Sequence, residues 1–504
     1  MKKLCFALCL ILICSVVLAA CGSTTTPEDG GNETKAASTE TSGGGGTSSE
    51  TEEETEPRIE PDIPSTKYSR VFNILHWTVG DAVWGDSWIP YNAFTADNYD
   101  GDAFNDAVYE RNCLLKEQYD VDIQLTTRDV TEMATVIQNA VNTGDAGIDL
   151  FIQRGVQLNA VMSGGYFVNY QDVPYVNLDN PWWNQSSLKS LAFGNVYQFA
   201  ASDFMILDKG ANVGLVYNAV VADQYSAATG DLYQSVLDKT WTFEKFVTIC
   251  DNVAADLDAD GTRTSEGDLI AFASGDDPVH AFYASSGLRF MDHDKDNYYF
   301  EYQFNSEDSL DCIEGVFIEL MYADFYRNVA TQGNLETNKF KANEQLFAMT
   351  FIKNAPSLRD METDYGFLPI PMYYSDQGRY YTQITPHHDA LIAVPTSVSD
   401  LEFVGVMLEW LGCESYYTTY PVFYDVVIEG RTLRDEQSKE MLRLIFETRV
   451  YDAGLIFDLK DFGTTILRRT ASGSTGFASL WASNSASIGE ELGKLNAIVD
   501  TLNK

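Results

Sequence analysis

The chain has 504 residues, 45% of them hydrophobic, and a formal net charge of −41 from 33 basic and 74 acidic side chains. That length supports two lobes with separate cores. Such an excess of acid repels nucleic acid and anionic lipid headgroups, which makes both poor partners and argues against a strongly anionic ligand.

Lys2 and Lys3 precede an apolar run from Leu4 to Leu18, which ends in Leu18-Ala19-Ala20-Cys21. A charged start, a short apolar centre and small residues before a cut describe a secretory signal over residues 1–20. The run falls short of the ~20 residues that span a hydrocarbon core. With cysteine at the first mature position, the segment looks like a bacterial lipoprotein signal; the alternative is an ordinary signal that happens to contain a cysteine. The mature chain is expected to begin at Cys21, lipid-anchored on the extracellular face of the cytoplasmic membrane. Cys5, Cys9 and Cys14 then leave with the signal. Cys113, Cys250, Cys312 and Cys413 remain, widely separated and without Cys-x-x-Cys spacing, so zinc and redox motifs are unsupported. Buried thiols and one or two disulfides both fit them.

Residues 21–64 are rich in Gly, Ser, Thr and Glu, as in Gly43-Gly44-Gly45-Gly46 and Glu52-Glu53-Glu54. A segment so poor in apolar side chains cannot offset its ordering entropy, and it reads as a disordered acidic tether. A flexible chain of that length reaches roughly 35 Å.

From Tyr68 the pattern is that of a packed α/β body. Val71–Leu75 reads as a buried strand, Asp102–Gln118 as a helix and Val121–Leu125 as a second strand. Thr131–Asn142 reads as a helix and Ile148–Ile152 as a third strand. This alternation predicts a parallel sheet with right-handed crossovers. Ligands in such sheets bind beyond the carboxyl ends of the strands, where His76, Trp77, Gln153 and Arg154 fall. Trp182 and Trp183 follow Pro181 in a turn, Val196–Ala200 reads as extended, and Val213–Asn218 as a strand. Thr242 is expected to cap a helix with Phe243, Phe246, Val247 and Cys250 on one face. Asp364–Pro371 reads as an extended crossing segment, and Ala390–Pro395 as a buried strand. Ser399 and Glu402 form a capping box ahead of a helix that Gly412 is expected to stop. Further helices fall around Leu442–Phe446 and from Ala478.

Taken in order, "KEQYDVDIQL", "NTGDAGIDLFIQ", "NVGLVYN", "KTWTFEKF" and "YGFLPIP", with the Leu-Ala-Ala-Cys lipobox, resemble the extracellular solute-binding lipoproteins of bacterial ABC importers. The similarity runs over most of residues 68–504. It implies an α/β, two-lobed fold of the type II periplasmic-binding-protein kind, with lobes joined by crossing hinge strands and a helical C-terminal part. By this mapping lobe one is 65–210 with 376–412, lobe two is 211–375, and helices over 413–504 pack on lobe two and the cleft.

Neutral sugars offer C–H faces and hydroxyl rims, so a site for them needs aromatic planes and directional polar partners. By position, the candidates after strands one and three are Trp77, Trp84 (with Trp88 in the same loop), Gln153 and Arg154. Packing of the loop, or a salt bridge for Arg154, is the structural alternative. Asp203 precedes the crossing strand and equally well caps a turn. In lobe two the candidates are Asp277, which also reads as a helix cap before Pro278, His280, Tyr283 and Asn354, the last after the strand "LFAMTFI". His387, His388 and Asp389 precede Ala390 near the hinge; adjacent residues on extended chain point opposite ways, so at most one histidine is expected to face ligand. Trp481 is a possible stacking plane or a core residue.

Asp256, Asp258 and Asp260, with Gly261, imitate the first half of a calcium loop, but Gly267 stands where a bidentate glutamate is needed. Calcium is therefore a minor alternative, and no cofactor is expected. Gly-x-Ser-x-Gly, His-Glu-x-x-His and phosphate-loop motifs are missing. A glycosidase carboxylate pair is open among so many acids, and the resemblance decides for a binding protein. The expectation is a monomeric, non-enzymatic receptor that captures a solute, an oligosaccharide by preference, for a separate ABC permease. The alternatives are a receptor for peptides or another nutrient, or a surface-anchored glycan hydrolase.

Overall fold

A computed structural model describes residues 57–79, 92–264, 266–275, 278–296, 298–329, 337–358, 360–428, 436–471 and 476–504. Two sheets organise it. In the first, β1 (Arg70–Thr78) is central and pairs in parallel with β2 (Val121–Asp129), from Arg70↔Val121 to Thr78↔Asp129. On its other side lies β3 (Leu150–Gln153), also parallel. The connection from β1 to β2 carries the helix Ala103–Tyr119, whose first amides donate to Asp102 and whose end turns through Asp120 at φ 54°. Asparagine and aspartate tolerate that left-handed conformation better than other side chains.

The second sheet receives β4 (Val213–Asn218), β5 (Ile270–Ser274), β8 (Tyr326–Asn328), β9 (Gln345–Phe351) and β10 (Tyr365–Leu368), in the order β10-β4-β9-β5-β8. β4 runs antiparallel to both neighbours, while β5 is parallel to β9 and β8. A short hairpin, β6 (Met291–His293) with β7 (Phe300–Tyr302), lies outside it. The chain then pairs β11 (Thr382–Gln383) with β13 (Arg449–Val450). It returns to the first sheet as β12 (Leu391–Ala393), antiparallel to β3. The buried apolar side chains divide accordingly, Phe72, Ile74, Phe151 and Ile392 in one core and Phe246, Phe272, Phe347 and Leu368 in the other.

Three segments pass side by side between the sheets. Asn212 bridges Ile384, the Ile384 amide donates to the Val450 carbonyl at 3.3 Å, and the Thr385 amide donates to Ala211 at 3.3 Å. The long helix Phe477–Leu502 places Phe477, Leu480 and Ile488 in the second core and Leu495 and Val499 in the first.

Three local readings change. The cap of the helix Leu401–Tyr417 is Asp400, which accepts from the Phe403 amide at 3.0 Å, so the capping box at Ser399 and Glu402 does not form. That helix runs through Gly412; the glycine is required there because a Cβ would meet the Trp182 ring at 2.3 Å. Val196–Ala200 forms only isolated bridges, Phe193↔Val196 and Ala200↔Ile392. Cys113, Cys250, Cys312 and Cys413 are free thiols, which settles the disulfide alternative. Among the described residues no helix is long and apolar enough to cross a membrane.

Candidate functional site

β1 and β3 end at the same edge of the first sheet. Because β12 is antiparallel to β3, with Leu391 opposite Gln153, the residues leading into it arrive at that edge as well. Register alone thus gathers Trp77, Gln153, Arg154, His387, His388 and Asp389. Trp77 is fully buried and its indole nitrogen has no hydrogen-bond partner among the described residues. The Arg154 guanidinium stands 5.9 Å from the Trp77 ring, within cation–π range, and its Nε donates to Gln157. Gln153 is turned inward, its Oε1 accepting from the Arg154 amide at 3.0 Å.

The second sheet supplies the opposing edge. β9 ends at Phe351, and the next turn carries Lys353 and Asn354; β5 ends at Ser274, and the helix Pro278–Ser285 carries His280. Lys353 Nζ lies 3.2 Å from Nδ1 of His388, and the Phe351 and His388 rings are 4.8 Å apart. The carboxyl edges of the two sheets therefore face each other here.

Burial governs the electrostatics of this seam. It lowers His387 to about 4, with Arg154 adding to the shift, and lowers His388 well below the usual imidazole range, helped by Lys353 and His387. His280 falls to about 3 through burial and the field of His387, and its Nε2 has no partner among the described residues. Lys353 is brought down to about 8 by burial. Asp389 is fully buried; burial first, and Asp208 next, push it up to about 7 despite the Gly155 amide, which donates to its Oδ1 at 2.7 Å.

Behind the seam, buried charged and polar side chains gather where the three crossing segments meet. Lys209, fully buried, pairs with Asp203 at 2.6 Å and Asp208 at 2.9 Å. Arg449 Nη1 stands 3.9 Å from Asp208 Oδ2, beyond hydrogen-bond reach. Although burial opposes it, Asp208 and Asp203 hold the guanidinium more strongly protonated than usual. Eight buried atoms in this region have no hydrogen-bond partner among the described residues: Ser202 Oγ, Asn212 Oδ1, both amide atoms of Gln383, Asp389 Oδ2, Arg449 Nε and Nη1, and Tyr451 Oη. An unpaired buried polar group costs about 1–3 kcal/mol, a cost that ordered water at such atoms commonly relieves.

The other candidates lie elsewhere or serve the scaffold. Asp203 is committed to Lys209. The Tyr283 hydroxyl donates to the Arg289 carbonyl at 3.0 Å and bonds Ser309 Oγ at 2.8 Å, while Asn354 Nδ2 donates to Thr350 Oγ1 at 3.3 Å. Trp481 packs on Tyr302, Phe304 and Phe462 with centroids 5.5–6.1 Å apart, beside a groove of about 390 Å³. Trp182 and Trp183 are buried, their indoles donating to Glu409 at 3.1 and 2.8 Å. Trp84, Trp88, Asp277 and Cys21 lie outside the described residues. Asp256, Asp258 and Asp260 are exposed, with oxygens within 4.8 Å of one another, and accept from the loop's own amides at Gly261, Asp260 and Thr262.

Sequence reasoning missed Lys353, Gln383, Arg449 and Tyr451. Lys353 adjoins the predicted Asn354, one position off in a turn whose rotation strand periodicity does not set. Gln383 and Arg449 sit on two-residue strands that leave no periodic signal.

No model of a protein family matches the sequence, and none of the curated proteins matches it. Among solved structures the chain is similar to UspC of M. tuberculosis, at 13% identity and a TM-score of 0.51 over 85% of this chain and 100% of that one. It is also similar to the ABC substrate-binding protein Lmo0181 from Listeria monocytogenes in complex with cycloalternan, at 11% identity and a TM-score of 0.48 over 86% and 99% of the two chains. A third is the cyclic alpha-maltosyl-1,6-maltose binding protein from Arthrobacter globiformis, at 12% identity and a TM-score of 0.49 over 86% and 99%. The likeness is one of fold. With its two sheets, crossing segments and facing carboxyl edges, the chain has the two-lobed α/β fold of the periplasmic binding proteins.

Proposed function

We propose that the protein is a lipid-anchored extracellular solute-binding protein that captures an oligosaccharide between its lobes and delivers it to a separate ABC importer. One observation carries the reading: the carboxyl edges of both sheets meet at His388 and Lys353, so residues from each lobe surround one seam, as closure about a ligand requires. Arg154 and His387, both half-buried, give that seam directional polar groups, the chemistry a hydroxyl-rich ligand needs. The Leu-Ala-Ala-Cys motif supports attachment through Cys21. The protein acts by stoichiometric binding, as a monomer and without a cofactor.

Calorimetry and thermal shift against linear and branched glycans, with peptides as controls, test the ligand class. Stabilisation by sugars with no shortened products is expected. Stabilisation by peptides alone would overturn the sugar class, and turnover of a bound glycan would overturn the receptor. For the anchor, Cys21→Ala should release the protein from the cell surface, and retention would count against lipidation.

A further inference from the structure

The end of the hairpin β6–β7 and the helix Phe477–Leu502 leave a groove of about 390 Å³ between them. Small-ligand sites commonly measure about 300–1,000 Å³. Trp481 and Tyr302, both half-buried, give the groove an aromatic wall, their ring centroids 5.6 Å apart. Glu301, Gln303 and Asn305 line it as well. Among the described residues, none of these three side chains makes a hydrogen bond, nor does the Trp481 indole nitrogen. The helix wall is low at Gly489. A mid-helix glycine costs stability, and close packing explains the one at Gly412, where a Cβ would strike Trp182. At Gly489 a Cβ would meet nothing within 4 Å, so no neighbour requires the glycine, and its effect is to widen the groove.

The polar groups form a mixed rim. The indole N–H only donates, the Glu301 carboxylate only accepts, and the Gln303 and Asn305 amides do both. Sugar hydroxyls donate once and accept twice, and sugar C–H faces lie well on aromatic planes. An anion would face Glu301, which already stands opposite Asp292 across the hairpin as a like-charge pair. A wholly apolar ligand would strip water from these groups and return no hydrogen bond. The groove is separate from the seam. Phe462 packs on Trp481 with centroids 5.5 Å apart, and the backbone of the next residue, Gly463, bonds His280. The start of the helix Phe462–Ala471 stands between the two.

We infer that this groove is a second saccharide site, outside the cleft, for a short stretch of neutral sugar. Trp481 and Tyr302 meet its C–H face, and Glu301, Gln303 and Asn305 take its hydroxyls. Such a site holds a glycan beside the receptor and raises the effective concentration of sugar at the cleft.

The test uses the isotope-labelled mature protein and four probes: maltose, cellobiose, xylobiose and mannobiose. The indole N–H resonance of Trp481, assigned by its loss in Trp481→Phe, is followed as each sugar is added. Additions run to about 50 mM, enough to fill most of a millimolar site. A saturable shift with at least one sugar is expected. Glu301→Ala and Gly489→Leu should each weaken the apparent affinity about tenfold or more, the first by removing an acceptor and the second by filling the groove. Both positions are exposed, so the thermal midpoint without sugar should hold for Glu301→Ala and hold or rise for Gly489→Leu. A shift that survives both variants would come from sugar bound elsewhere and would overturn the second site. No shift from any of the four sugars, or a shift from toluene alone, would overturn a saccharide site here. Calorimetry of the cleft is a separate measurement, so the receptor reading stands or falls without this groove.

Discussion

Lys353 Nζ lies 3.2 Å from Nδ1 of His388, so a cation from the second sheet's edge meets an imidazole from the first. The contact is favourable only while the ring is neutral. Burial, Lys353 and His387 all hold His388 well below the ordinary imidazole range of about 6.5. A histidine with a lowered folded-state value costs nothing above 6.5, and its destabilisation grows as pH falls below that value, where the unfolded chain binds the proton first.

His388→Gln should therefore gain stability relative to the parent protein as pH falls below 6.5. One group sets a limiting slope of about 1.4 kcal/mol per pH unit. Urea unfolding of both proteins between pH 7.5 and 5 measures the difference, which cancels the contributions of carboxyls common to both. A constant difference across that range would contradict the assignment.

Glu409 is a second buried charge, and its neighbours answer it fully. It accepts from the Trp183 indole at 2.8 Å, the Trp182 indole at 3.1 Å, Asn180 Nδ2 at 2.6 Å and the Asn177 amide at 3.0 Å. Glu409→Ala leaves four donors, the two buried indoles among them, facing an apolar methyl. It should cost about 3–5 kcal/mol, read as a lower urea midpoint. Trp183→Phe, which removes one donor and keeps most of the packing, should cost about 1–3 kcal/mol.

Gly412 sits inside a helix, where propensity alone favours alanine by about 1 kcal/mol. The Trp182 ring reverses that sign, because the new methyl would stand 2.3 Å from it in a buried layer. Gly412→Ala should destabilise by about 1–3 kcal/mol or more, and a raised thermal midpoint would show that the ring moves freely.

These cases mark where the sequence was legible. The runs at Arg70–Thr78, Leu150–Gln153 and Leu391–Ala393 carry enough apolar side chains to announce strands, and their ends place Trp77, Arg154 and His387 at one edge. Gly412 was misread because a mid-helix glycine and a stop signal look alike until the opposing ring is known. Trp182 and Trp183 were read beside a turn, yet their carboxylate partner lies more than two hundred residues away. Lys209, Arg449 and Asp208 come together only through long-range crossing. No local period encodes such a meeting.

The free thiols separate by environment. Burial raises Cys250 well above the ordinary thiol value, Cys312 to about 12 and Cys413 to about 11, while Cys113 is exposed. Since the thiolate is the nucleophile, a disulfide reagent at pH 8 should label Cys113 promptly in the folded body. The other three should react only with denaturant, and prompt labelling of Cys250 would contradict the packing of its helix.

Asp389 supplies the opposite sign to the histidines. Its side chain is fully buried, Oδ1 accepts from the Gly155 amide at 2.7 Å, and burial with Asp208 pushes the carboxyl up to about 7. An acid with a raised folded-state value keeps its proton in the native state after the unfolded chain has lost it. The native state is then progressively disfavoured as pH rises from about 4 to 7. Asp389→Asn keeps an oxygen for the Gly155 amide and removes the ionisation. At pH 8 it should be more stable than the parent by up to about 4 kcal/mol, the worth of a three-unit shift, and the advantage should fade toward pH 4. Paired urea titrations at pH 8 and 4.5 read this directly. Equal stability at pH 8 would contradict the raised carboxyl.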